Sequence, residues 1–168
     1  VASENATRGT RTESLPGQTN SLFEERWWLD AVVPGSWGEA VVERGGSVVA
    51  RLPYAIRRKW GLTVLFQPPL TQTLGPWFQP ADGDPGHRLT VEMELMEELI
   101  DALPRFDVHH QSLWSGIGSW LPFYWRGYSA TPRYSYRIED LADLETVWSG
   151  LRQNVRRAIR KASARFEI

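Results

Sequence analysis

Trp37–Gln67 reads WGEAVVERGGSVVARLPYAIRRKWGLTVLFQ. Trp37–Arg44 and Ser47–Ile56 are rich in β-branched and apolar residues, and Gly45-Gly46 between them is a hairpin signal. Arg57-Arg58-Lys59-Trp60 follows as a basic tip, and Gly61–Gln67 supplies a third strand. Adjacent strands on tight turns predict an antiparallel core of sheet.

Outward from that meander the pattern turns helical. On the N-terminal side, residues 1–20 are rich in Ser, Thr, Gly, Asn and Arg and read as a flexible lead-in without a core. Ser21-Leu22-Phe23-Glu24 has the form of a capping box, which predicts a helix running to Val33 before Pro34-Gly35. Phe23, Trp27 and Ala31 share one of its faces, and Glu24 and Glu25 are assigned to its surface.

On the C-terminal side, Pro68–Trp77 is a Pro/Gly-rich loop and Ala81–Gly86 a turn cluster. Leu89, Met93, Met96, Ile100 and Leu103 recur at spacings of four and three, which predicts an amphipathic helix ended by Pro104. Its acids Glu92, Glu94, Glu97, Glu98 and Asp101 read as a solvated face. Phe106–Leu113 reads as a strand. It sends His109 and His110 to opposite faces, so the two histidines do not serve one site. Helices alternating with strands make the chain an α/β protein.

Trp120–Ile138, WLPFYWRGYSATPRYSYRI, concentrates aromatic rings and arginines. Its Pro and Gly argue for a compact loop, and the alternation Arg133–Ile138 predicts a strand. Flat rings interleaved with Arg126 and Arg133 suit a planar or anionic ligand; the competing reading is that the rings fill a core. The last segment is expected to start at Asp140 as a cap, with a stripe of Leu141, Leu144, Trp148, Leu151, Val155, Ile159, Ala162 and Phe166, split at Gly150. Arg152, Arg156 and Arg160 lie four apart, with Arg157, Lys161 and Arg165 beside them. Such a face repels itself unless an anion, a phosphate or carboxylates elsewhere in the fold relieve it.

The totals bound the function classes. A chain of 168 residues with 42% hydrophobic and 23% charged residues is globular in composition. The net charge of −1 gives no global field for nucleic acid or membrane. Cysteine is absent, which excludes disulfides, thiol nucleophiles and Cys-ligated zinc in these residues and fits a cytoplasmic setting. No apolar run approaches membrane-spanning length. The Walker, dinucleotide-binding, nucleophile-elbow and zincin motifs are all missing from it.

Five segments in order resemble FemAB-like proteins of the GNAT acyltransferase superfamily. They are Trp28–Val32 (WLDAV), Leu52–Tyr54 (LPY), Gln67–Trp77 (QPPLTQTLGPW), Trp120–Gly127 (WLPFYWRG) and Asn154–Ala162 (NVRRAIRKA). The order and spacing agree from about Ser21 to Ala164. The resemblance implies a GNAT-like domain over 21–138, with a mixed, largely antiparallel central sheet flanked by helices. Residues 139–168 would then open a second GNAT-like domain. It implies acyl or aminoacyl transfer to an amine-bearing acceptor such as a cell-wall precursor, with acetyl-CoA or aminoacyl-tRNA as donor. The pyrophosphate-binding loop Q/R-x-x-G-x-G/A does not occur in these residues, so no donor is expected to bind this chain without a downstream GNAT-like half. No catalytic residue is assigned. The expected substrate contacts are Tyr124, Trp125, Arg126 and Tyr128, with Arg156 and Arg157 on an anionic part. Alternatives are a non-catalytic module binding an anionic nucleotide-linked or cell-envelope precursor, and a tRNA- or RNA-binding domain using the Arg-rich helix.

Overall fold

The computed structural model describes residues 18–134, 138 and 140–166. The strand expected over Arg133–Ile138 cannot be followed, because positions 135–137 lie outside this set. The chain divides into two compact units, one ending at Ala130 and the other starting at Thr131.

The first unit is an α+β layered fold built on a mixed five-stranded sheet. Strands β1 (Trp37–Arg44), β2 (Ser47–Lys59) and β3 (Leu62–Phe66) form the antiparallel meander, with Ala40 opposite Leu52 and Ala55 opposite Phe66. Gly45 and Gly46 turn the first hairpin at φ 59° and 80°, values that glycine reaches without steric cost. β2 does not stop at Ile56 but runs through the basic residues to Lys59, and the second turn falls on Trp60 and Gly61. Along one edge β2 takes two partners in succession, β3 and then β4 (Trp77–Phe78), a two-residue strand that begins on the last residue of the segment expected as loop. Helix α2 (Pro85–Asp101) then crosses over, and β5 (Val108–His109) lies parallel to β3. The strand expected over Phe106–Leu113 is this short because the chain leaves β3 after His110: Ser112 N donates to Gln67 Oε1 (2.9 Å), and Ser112 O accepts from Leu74 N (2.8 Å).

Alternation along β2 assigns its two faces. Ala50 and Leu52 join Ala40, Val42, Leu65, Leu95, Met96, Leu99, Ile100 and Phe123 in the larger core beneath α2. Ala55 faces the other way, with Leu29, Val33 and Leu74, beneath α1 (Arg26–Val32). Fully enclosed leucines such as Leu52, Leu65 and Leu99 each contribute about 1.5–3 kcal/mol by leaving water.

Several helix expectations need correction. The N-terminal helix breaks at Glu25, leaving a 3-10 turn, Leu22–Glu24, before α1. Ser21 makes no side-chain cap bond, and Glu24 is 1% exposed rather than on the surface. Its carboxylate accepts from Asn20 N (2.9 Å), Asn20 Nδ2 (3.1 Å) and Gly75 N (3.1 Å), tying the chain entry to the 67–77 loop. Trp27 and Ala31 are exposed, and the face that packs carries Leu29 and Val33. In α2 the buried stripe is Leu95, Met96, Leu99 and Ile100, and Leu89 is exposed. Helix α2 starts at Pro85, inside the expected turn cluster, because Asp84 caps it by accepting from Gly86 N and His87 N.

The second unit holds α4 (Leu144–Gly150) and α5 (Gln153–Ser163). Asp143, not Asp140, caps α4; Asp140 accepts from Ala142 N in a local turn. The expected break at Gly150 is present, with Leu151 and Arg152 extended between the helices. No residue of α4 or α5 is buried, and Leu144, Val155 and Ile159 are exposed.

Candidate functional site

The aromatic stretch folds into a five-residue helix, α3 (Leu121–Trp125), rather than a loop throughout. Pro122 fits its first turn, where a missing N–H costs nothing. Gly127, at φ 83°, ends it. Tyr128 N donates to Phe123 O (3.1 Å) and Gly127 N to Tyr124 O (2.9 Å), the paired bonds of a Schellman stop. That stop folds Tyr128 back over Phe123, ring centroids 5.2 Å apart at 87°.

The four expected contacts on this turn therefore part company. Tyr124 and Trp125 are 59% and 55% exposed, free to offer ring faces. Arg126 is exposed but engaged. Its guanidinium makes a two-pronged ion pair with Asp101, one prong at 2.9 Å, and lies 3.8 Å from Glu97. The Arg126 bond holds the Asp101 carboxyl below its ordinary pKa. The acids of α2 are thus partly neutralised rather than simply solvated, since Glu98 also pairs with Arg44.

Tyr128 turns inward to His109, whose strand placement set it on the opposite side from exposed His110. His109 Nδ1 lies 3.1 Å from Tyr128 Oη, and Nε2 lies 3.0 Å from Gln111 Oε1. The Gln111 amide nitrogen donates to Pro53 O (3.1 Å) and to Leu74 O. Burial pushes the His109 pKa down, partly offset by the bond to Gln111, and burial pushes the Tyr128 pKa up. Both groups are therefore neutral near pH 7.

Around this triplet three of the resembling segments converge. Trp28 Nε1 donates to Thr71 Oγ1 (3.0 Å), Gln67 Nε2 donates to Thr71 O (2.8 Å), and Gln111 bridges Pro53 and Leu74. His109 was readable as a strand position facing away from His110, but Gln111 carries no signal in sequence. Its role depends on carbonyls 58 and 37 residues away.

Arg156 and Arg157 belong to the second unit. With Gln153 and Arg160 they line a shallow open depression on α5. Arg160 lies 5.4 Å from the Trp148 ring centroid, a cation–π contact. Among the described residues of this unit none of these arginines is in an ion pair. Among the described residues of the chain, no group of acids and histidines could hold a metal ion, and no helix is long and apolar enough to cross a membrane. Comparison with protein-family models, curated proteins and solved structures finds no match to this chain.

Proposed function

We propose that this chain forms the N-terminal, GNAT-like half of a FemAB-like N-acyltransferase, passing an acyl or aminoacyl group to an amine acceptor. The observation that carries this reading is the convergence just described. Segments 28–32, 52–54 and 67–77 carry the resemblance, and they are bonded to one another through Trp28, Thr71, Gln67 and Gln111. The mixed sheet, flanked by helices on both faces, supports it further.

In this reading acetyl-CoA or aminoacyl-tRNA supplies the activated acyl group. The acceptor amine attacks the acyl carbon, a base removes its proton, and donors aimed at the developing oxyanion lower the barrier. Tyr124, Trp125 and Tyr128 contact the acceptor, Arg126 does so by exchanging its Asp101 partner for it, and Arg156 and Arg157 meet an anionic part of a substrate. A cytoplasmic location fits both donors.

The test is turnover by the protein with whatever sequence follows it. The protein is incubated with acetyl-CoA or aminoacyl-tRNA and a panel of amines, and products are read by mass. Arg126→Ala and Arg156→Ala should raise KM or abolish transfer. Unchanged kinetics in both would remove these assignments. The lack of a Q/R-x-x-G-x-G/A loop in these residues favours a second reading, a module that binds an anionic nucleotide-linked or cell-envelope precursor. Saturable precursor binding without turnover would select it. An RNA affinity that falls steeply with salt would select the RNA-binding reading instead.

A further inference from the structure

We infer that the Tyr128 hydroxyl is an acceptor-only contact for the substrate's amine, held in that role by His109 and Gln111. The inference deepens the acyl-transfer reading and rests on it for the choice of an amine.

The polarity is set two residues away from the phenol. Pro53 O and Leu74 O can only accept, so the Gln111 atom facing both is its NH2 group. Gln111 Oε1 is then an acceptor, and the His109 nitrogen 3.0 Å from it must carry a proton. His109 is neutral, so its other nitrogen, Nδ1, is a lone pair. The Tyr128 hydroxyl 3.1 Å away therefore donates to it.

A phenol has one proton. With that proton committed to His109, the remaining lone pairs of Tyr128 Oη can receive a donor and offer none. Carboxylate, phosphate and carbonyl groups bring no proton to that oxygen, whereas an amine or ammonium does. Reversing any link sets donor against donor or acceptor against acceptor, which costs a buried bond. The Schellman stop at Gly127 is what brings Tyr128 to this place.

Nitrogen NMR of 15N-histidine-labelled protein at neutral pH tests the relay without any enzyme assay. His109 should show Nε2–H and a bare Nδ1; the opposite tautomer overturns the inference. Titration with ethylammonium chloride, with sodium acetate at matched ionic strength as control, tests the contact. Ethylammonium should shift the His109 Nδ1 and Tyr128 ring signals saturably, and acetate should not. In Tyr128→Phe the His109 response should fall at least tenfold. An equal response to acetate, or no saturable response to ethylammonium, overturns the inference. A saturable amine response in a protein that transfers no acyl group would keep the contact and remove acyl transfer. Transfer with no such response would do the reverse.

Discussion

Replacing Glu24 tests the account of how the 67–77 loop is held. One carboxylate oxygen accepts from Asn20 N and Nδ2, the other from Gly75 N and Asn20 Nδ2, and the side chain is enclosed. Glutamine has the same shape but one acceptor. Whichever way its amide is turned, an NH2 group meets a backbone N–H, at Asn20 or at Gly75. One orphaned buried donor costs about 1–3 kcal/mol, and charge assistance is lost as well. Glu24→Gln should therefore destabilise the protein by about 2–4 kcal/mol despite being nearly isosteric. Glu24→Ala orphans both backbone donors and opens a cavity, for about 3–5 kcal/mol. Urea unfolding at pH 7 reads the cost, and hydrogen exchange at the Gly75 amide locates it. A loss below about 0.5 kcal/mol in both variants, with Gly75 still protected, would show that this carboxylate does not fasten the loop.

Three further outcomes are expected. Burial lowers the His109 pKa in the native state, so the unfolded chain binds more protons between that value and the ordinary 6.5. Stability should rise with pH across this window, and the rise should flatten in His109→Asn when urea midpoints are compared from pH 5 to 7.5. A Cβ on Gly38 would lie 2.6 Å from Tyr54 Oη and 2.8 Å from Cζ, so Gly38→Ala should cost about 1–3 kcal/mol by displacing a partly buried ring. Cutting the ion pair with Arg126→Ala should return the Asp101 carboxyl upward to its ordinary titration range. An Asp101 NMR titration that does not move would show that the pair is not kept in solution.

The meander was legible because its signals are local. Gly45-Gly46 is a turn written in adjacent residues with β-branched runs on both sides, whereas the second turn, expected as the basic tip Arg57–Trp60, sits later at Trp60-Gly61. Helix α2 was legible in existence but not in facing. Its sequence carries apolar residues at Leu89 and Met93 as well as Leu95 and Leu99, and only the sheet beneath decides which pair goes inside. The capping-box reading of Ser21–Glu24 failed for the same kind of reason. A Glu three residues after a Ser fits a cap, but here a distant amide, Gly75 N, competes for the carboxylate. The aromatic stretch announced its rings but not their division of labour. Gly127 after an apolar run was the available sign of a Schellman stop, and with it of the turn that sends Tyr128 inward while Tyr124 and Trp125 stay out.

The sheet's mixed order has a consequence for how the protein comes together in time. β1, β2 and β3 are linked by tight turns, so their pairing closes small loops and can begin on microsecond scales. β5 reaches β3 only after the long excursion through β4 and α2, and parallel pairing across such a span pays its closure entropy before any contact rewards it. His109 rides on that late strand, and Gln111 and Tyr128 follow it along the chain. The polar triplet is therefore expected to assemble after the meander, and pulse-labelling hydrogen exchange during refolding should protect the β1–β3 amides before those of β5.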